Sequence, residues 1–307
     1  MPRSTWTLTP HKPAQAASGR HVSSHIIVAT FRHGTLRAAI SRRFHAAAAS
    51  GIPVRSLWED NLELELRFVY SFVHNARYAA VNIHYLGVIH GGSQKHTSQT
   101  ADERYSVIKA NVDALKPIQV GLAIYNDFGH IVAWEFNLRG FHPATADPHA
   151  ANSVGYLDEA RGLSFDEHQA HGITASRLAT GLNGCGLFRR PQISWITYAG
   201  VYNIGYLMKI LSMGNPLPDS LGGFLDMVRQ FLGQDVYDVA RIAVDCALPP
   251  GQEHVASSLC LVPAALSPRL AGAGSLLALQ AFMRLKYEML YGDVSRFRGL
   301  IHGIQVI

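Results

Sequence analysis

The histidines are the first residues in this 307-residue chain whose types and spacing could do chemistry. His168 and His171 stand three apart, with His142 and His149 upstream. Imidazoles bind zinc, but this is not a recognised ligand spacing and no cysteine is near. His84 could hold a soft metal with a second histidine; alone on a strand it reads as a hydrogen-bonded imidazole. Cys185 sits between Gly184 and Gly186 with no His or Asp in a nucleophile pattern, so it reads as an inert thiol. Ala271-Gly272-Ala273-Gly274 resembles a glycine-rich loop, but no strand opens a dinucleotide site there. Asp238, after Tyr237, reads as a capping or core hydrogen-bonding acid rather than a catalytic one.

The elements that must position such residues follow from periodicity. Leu62, Leu66, Val69 and Val73 recur at helical spacing, with Glu63, Glu65 and Arg67 on other faces and Asp60 or Asn61 placed as N-cap. A strand is expected at 78–85, a loop at 92–104, and two strands at 118–125 and 130–136. The turn Asn126-Asp127-Phe128-Gly129 makes the last two a hairpin. Helices are expected near 152–161 and 174–183, and a buried strand at 193–198. A helix at 202–211 ends at Gly214-Asn215-Pro216, and the next, capped by Asp219, runs to about 232. A short strand or helix entry at 236–239 and a long closing helix at 273–291 complete the pattern. Strands followed by alternating helices argue one α/β domain with a mixed sheet over 54–307.

Composition bounds the class. Apolar residues make up 48% of the chain, enough for a sizeable core, while charged residues are only 16%. The net charge of +5 hides an asymmetry. Residues 1–58 hold eight Lys or Arg and no acid, while the remaining 19 Lys and Arg face all 22 Asp and Glu. The pI of about 9.2 thus reflects the N-terminal arm and is no evidence for a nucleic-acid groove. Three cysteines, Cys185, Cys246 and Cys260, without Cys-x-x-Cys spacing argue against a disulfide scaffold or zinc ribbon and fit a reducing compartment. The arm 1–50 mixes Pro, Ser, His, Ala and Arg and reads as a disordered leader, the alternative being an organelle transit peptide. Its one strand-like stretch, 24–31, has no neighbour to pair with. No apolar core follows a short basic start, so no secretory signal is read. The uncharged run 191–208 contains Gln192, Ser194, Thr197 and Asn203 and is a poor membrane span.

Seven blocks in order carry a resemblance. They are Trp58-Glu-Asp-Asn-Leu62, Asn111-Val-Asp-Ala-Leu-Lys116, Ile118-Gln-Val-Gly-Leu122, Trp134-Glu-Phe-Asn137, Gly205-Tyr-Leu-Met-Lys209, Pro216-Leu-Pro-Asp219 and Val236-Tyr-Asp238. From about residue 54 to 304 the chain resembles the Pop-two/Caf-one family of poly(A) deadenylases, the Ccr-four-associated factors of the Ccr-four–Not complex. The resemblance implies a ribonuclease-H-like α/β fold (the DEDD exonuclease type), 3′-to-5′ removal of adenosines from messenger RNA, and two Mg²⁺ or Mn²⁺ ions. It also implies partnership with the Not scaffold and the Ccr-four-type nuclease, poly(A) RNA as a ligand, no membrane, and a nuclear and cytoplasmic location.

Two-metal hydrolysis places its ions about 4 Å apart at the attacking and leaving oxygens, and magnesium wants oxygen ligands. The family supplies three Asp, one Glu and a general-base His. Here the stretch matching its Asp-Thr-Glu is Asn82-Ile83-His84. The stretch matching His-Ser-Gly-Tyr-Asp is Ala199-Gly200-Val201-Tyr202-Asn203, and Arg269-Leu270-Ala271-Gly272-Ala273-Gly274 replaces His-Gln-Ala-Gly-Ser-Asp. The resemblance therefore implies that the ligand positions are Asn82, His84, Asn203 and Gly274 and that Arg269 stands for the base. Each lost charge pair at about 4 Å is worth roughly 4 kcal/mol at an effective dielectric of 20, and Arg accepts no proton. The expectation is a silent homologue, binding no metal, that acts as an interaction or RNA-holding module; the alternative is an active exoribonuclease through a shifted metal site. The flanks are kept, so the pocket is expected to survive as a cleft. Asn82→Asp and Asn203→Asp are expected to be nearly free, and Gly274→Asp is expected to be favoured by its helix dipole.

Deleting residues 1–50, which have no acids and no sustained apolar period, is expected to change unfolding free energy by less than about 0.5 kcal/mol. Chemical denaturation of the two chains measures it; a larger loss means that 24–31 packs on the domain.

Overall fold

A computed structural model describes residues 52–91, 98–261 and 270–305. The arm 1–50, its stretch 24–31 and Arg269 lie outside the described residues.

The first element is β1, Val54–Leu57, followed by α1, Leu62–Val73. Asn61 stands at the N-cap of α1 but caps nothing. Its Oδ1 accepts from the Trp58 N–H at 2.8 Å and its Nδ2 donates to the Ser56 carbonyl at 3.0 Å, so it ties the strand-to-helix turn instead. Then comes β2, Ala76–Tyr85, and after it α2, Ala101–Ala114. This helix replaces the end of the expected loop 92–104. Its apolar stripe is weak, but Thr100 and Glu103 form a reciprocal capping box that nucleates it. The hairpin follows as β3, Pro117–Asn126, and β4, Ile131–Asn137, with the Asn126 side chain accepting from the N–H groups of Phe128 and His130.

A short helical turn spans 153–160. Next come α3, Phe165–His171, and α4, Ala175–Gly184, then β5, Ser194–Thr197, and α5, Val201–Leu211. Helix α6, Leu221–Leu232, is capped by Ser220, whose Oγ accepts from the Gly223 N–H at 3.1 Å. Asp219, expected in that role, is exposed and faces Lys109 Nζ at 3.5 Å. Strand β6, Val236–Asp238, leads directly into α7, Val239–Asp245. Helix α8, Gln252–Ser258, was not legible in the apolar pattern, and the closing helix α9, Ala271–Arg284, continues into a π turn at Leu285–Met289.

The six strands run β1-β4-β3-β2-β5-β6. Both β3 pairings are antiparallel and the other three are parallel. This is the mixed α/β sheet expected of the ribonuclease-H-like class. Helices α1 to α6 cover one face, over a core including Leu62, Val69, Trp134 and Phe136. Helices α7 to α9 cover the other, over Ile196, Val239 and Phe282. Strand β2 alternates accordingly: Ala79, Val81 and Ile83 face α1 to α6, and Tyr78 and Ala80 face α7 to α9. No described helix is long and apolar enough to cross a membrane.

One contact sets where α9 begins. Gly121 lies opposite Asn82 in β2 and opposite Glu135 in β4. A Cβ at Gly121 would stand 1.8 Å from the Ala271 carbonyl oxygen, so only glycine admits the helix start onto the strand. Gly121→Ala is expected to destabilise the domain by about 1–3 kcal/mol through this overlap. Gly222→Ala, in open space on α6, is expected to be neutral or to stabilise by about 0.5–1 kcal/mol. Equal denaturation midpoints for the two variants would mean that α9 is not seated on β3.

Candidate functional site

Asn82 and His84 leave β2 two residues apart and therefore on one side of the strand, the side that carries α9. The first turn of α9 lies along the row that Glu135, Gly121 and Asn82 form across the sheet. The Gly272 N–H donates to Glu135 Oε2 at 2.9 Å. On the neighbouring row, the Ala271 N–H donates to Gln119 Oε1 at 3.2 Å, and Gln119 Nε2 donates to Asn137 Oδ1 at 2.7 Å. These sheet side chains satisfy helix N–H groups that Leu270, the N-cap, has no side chain to cap. Burial raises the Glu135 pKa to about 6, offset in part by the Gly272 N–H.

Beyond that turn a cleft of about 810 Å³ opens between the end of β2, the turn 153–160 and the starts of α8 and α9. Asn82, His84 and Gly274 line it, with Tyr156, Arg161 and Glu253 opposite. The expected cleft is therefore present. Arg161 faces Glu253 at 3.4 Å and donates to the Tyr156 hydroxyl. The helical stretch near 152–161 was expected from sequence, but Tyr156, Arg161 and Glu253 were given no role. Glu135, Gln119 and Gly121 were quoted inside recognised blocks but given no role. The glycine inside a strand was the available signal of a close backbone approach.

His84 departs from expectation. Its Nδ1 is buried and has no hydrogen-bond partner among the described residues. Burial, with Arg161 near, lowers its pKa to about 4. Asn203, on α5, is not among the cleft-lining residues. It is 6% exposed; its Oδ1 accepts from the Ile83 N–H at 2.9 Å, and its Nδ2 donates to Thr197 Oγ1 at 3.0 Å and to the Tyr198 carbonyl at 3.4 Å. A carboxylate has no hydrogen to donate to the Tyr198 carbonyl, although the Thr197 hydroxyl can donate to it, so Asn203→Asp carries a cost that its near-isosteric shape does not show. At Gly274 an added Cβ would meet Asn82 Nδ2 at 2.4 Å and Cγ at 3.0 Å, so Gly274→Asp also requires the Asn82 side chain to move.

The other candidates are structural. Buried Asp238 accepts from the N–H groups of Ala199, Gly200, Ala240 and His302 at 2.8–3.0 Å, the core hydrogen-bonding role expected of it. Burial pushes its pKa up, and the N–H donors offset part of that rise. Three of the four histidines have separate partners, His168 the Leu138 carbonyl, His142 Asp166 and His149 the Asp147 carbonyl, and His171 is exposed at the end of α3. Cys185 donates to the Leu182 carbonyl, and burial raises its pKa. Among the described residues no group of three or more His, Cys, Asp or Glu could hold a metal ion.

Fold and cleft define a ribonuclease-H-like α/β domain whose cleft sits where the central strand meets the closing helix. A CAF1 family ribonuclease profile matches residues 57–153. Probable CCR4-associated factor 1 homolog 7 of Arabidopsis thaliana is 28% identical over 265 residues, 83% of this chain and 94% of the relative. Poly(A) ribonuclease pop2 of Schizosaccharomyces pombe is 27% identical over 259 residues, 82% and 75% respectively. The S. pombe Pop2p structure in its Mg²⁺- and Mn²⁺-bound form aligns with a TM-score of 0.74 at 27% identity, covering 82% of this chain and 99% of that one. A chain from the structure of the yeast NOT1 MIF4G domain co-crystallised with CAF1 aligns with a TM-score of 0.64 at 26% identity, covering 81% of this chain and 96% of that one. Residues 57–153 thus match a CAF1 family ribonuclease profile, and over about four-fifths of its length the chain is similar to CCR4-associated factor 1 and Pop2 proteins.

The residues at hand do not fit a magnesium pair. Asn82 offers an amide, His84 an imidazole nitrogen, Gly274 nothing, and the Asn203 amide is already committed at both ends. Hard divalent ions need carboxylate oxygens to offset their dehydration.

The His84 environment has a measurable consequence. Its pKa is about 4 in the folded state against an ordinary 6.5, so between those values the unfolded chain binds the proton more readily. Stability from this group is full above pH 6.5, falls as pH drops toward 4, and by pH 5 has lost about 2 kcal/mol. Denaturation midpoints at pH 7 and pH 5 are expected to fall less for His84→Leu than for the parent; equal falls would mean that the ring is not held neutral.

Proposed function

We propose that this chain is a catalytically silent homologue of the poly(A) deadenylase subunit of the Ccr-four–Not complex, acting as an interaction or RNA-holding module in mRNA turnover. The observation that carries the reading is the composition of the cleft wall. Asn82, His84 and Gly274 bring no carboxylate to it, and the one carboxylate among its described lining residues, Glu253, faces Arg161. An imidazole with a pKa near 4 is a poor base at neutral pH. The amide, the imidazole and the Tyr156 ring can hydrogen-bond or stack with a base without polarising a phosphate. The partner side of the reading rests on homology: the yeast relative was co-crystallised with the NOT1 MIF4G domain. A nuclear and cytoplasmic location follows from the family, unless residues 1–50 act as a transit peptide.

The test pairs hydrolysis with binding. The full chain is expected to leave 5′-labelled oligo(A) unshortened in millimolar Mg²⁺ or Mn²⁺. Its melting temperature is expected not to rise with either ion, since only a ligand bound by the folded state stabilises it. It is also expected to be captured by a NOT1-type MIF4G scaffold. An EDTA-reversible rise in melting temperature together with shortening would establish the shifted-site alternative, and absence of capture would remove the partner.

A further inference from the structure

We infer that position 203 has changed from a metal ligand to a structural tie, so that the silent centre cannot be re-armed there without loss of stability. The inference rests on the silent reading for its assignment of position 203, and goes beyond it in giving Asn203 a role of its own.

The sheet has a gap where β2 runs past the end of β5. Strand β5 pairs with β2 only from Tyr78 to Ala80, and the Ile83 N–H is further along β2. Asn203 Oδ1 supplies the acceptor that Ile83 would otherwise lack. From the same amide, Nδ2 holds Thr197, the last residue of β5, and Tyr198 after it. One side chain thus joins α5, β2 and the end of β5 where the two strands part. Both ends of the amide are needed, because the Ile83 N–H requires an acceptor and the Tyr198 carbonyl requires a donor.

An aspartate there would keep the Ile83 bond, could accept from the Thr197 hydroxyl, and would lose the bond to the Tyr198 carbonyl. Its carboxylate would be buried and would face the Tyr198 carbonyl. A second buried carboxylate, Asp238, is already held nearby by the N–H groups of Ala199 and Gly200. Burying another anion beside it is unfavourable. A protonated aspartic acid regains one O–H donor and sheds the charge. The titratable groups on the surrounding elements are His84 beside Ile83, Tyr198 and Tyr202 around the loop and helix start, and Asp238 and His302 beyond Gly200. All are retained in every variant of residue 203.

The experiment is thermal unfolding of the full chain, its Asn203→Asp and Asn203→Leu variants, and Thr197→Ser and Thr197→Val, at pH 7 and pH 4.5. Asn203→Asp is expected to melt about 5 °C or more below the parent at pH 7, with the deficit shrinking at pH 4.5. The Asn203→Leu deficit is expected to be the same at both pH values. Thr197→Ser, which keeps the hydroxyl, is expected to melt closer to the parent than Thr197→Val. If Asn203→Asp does not fold at pH 7, partial recovery of its circular dichroism at pH 4.5 supports the tie. An Asn203→Asp protein melting within about 1 °C of the parent at pH 7, or a deficit that acidification does not reduce, overturns the inference. Neither result bears on whether the chain shortens oligo(A), so the silent reading is judged separately.

Discussion

The arrangement depends on the seating of one helix turn. The first turn of α9 lies directly on β3 because Gly121 has no side chain, and its N–H groups are taken up by Gln119 and Glu135 from the sheet. Gly272 repeats the condition on the helix side, where a Cβ would meet Val54 Cγ1 at 2.4 Å. From this contact follow the position of Gly274 against Asn82 and the direction in which the cleft opens. The framework that aims residues into the centre is therefore intact, although what it aims is chemically different.

That separation of frame from ligands is physically reasonable. The frame depends on small residues, backbone hydrogen bonds and apolar burial, all indifferent to the charge of the residues it presents. Metal binding depends on several negative charges at once, and an unpaired cluster of carboxylates is itself costly to hold together. Replacing them by neutral groups relieves that repulsion. It also frees Asn203 to satisfy backbone groups where β2 and β5 part. The Asn82 amide similarly fills the space beside Gly274.

Much of the frame was legible in the sequence. The β3–β4 hairpin announced itself through Asn126 to Gly129, and the period-2 pattern of β2 placed Asn82 and His84 on one side. The family resemblance, not periodicity, pointed to Asn203 and Gly274 as members of the same centre. What stayed hidden has identifiable causes. Helix α2 is held by a capping box and a weak apolar stripe, so periodicity missed it altogether. Asp219 and Ser220 are both good caps, and only backbone geometry chooses between them. The cleft's far wall, with Tyr156, Arg161 and Glu253, comes from segments remote in sequence and can only be found in three dimensions. The committed state of the Asn203 amide is likewise a tertiary fact, since its partners Ile83, Thr197 and Tyr198 lie on other elements.

The central claim is that a frame like that of the Pop2 structure presents a centre proposed to hold no divalent ions. Titrating Mn²⁺ into the full chain while following the electron paramagnetic resonance of the free aquo ion tests it most directly. The account predicts that the free-ion signal grows with added Mn²⁺ as it does in buffer alone, with no equivalent removed by the protein at sub-millimolar concentration. Loss of signal equal to one or two equivalents, abolished by substituting residues of the cleft wall such as Glu253, would contradict it.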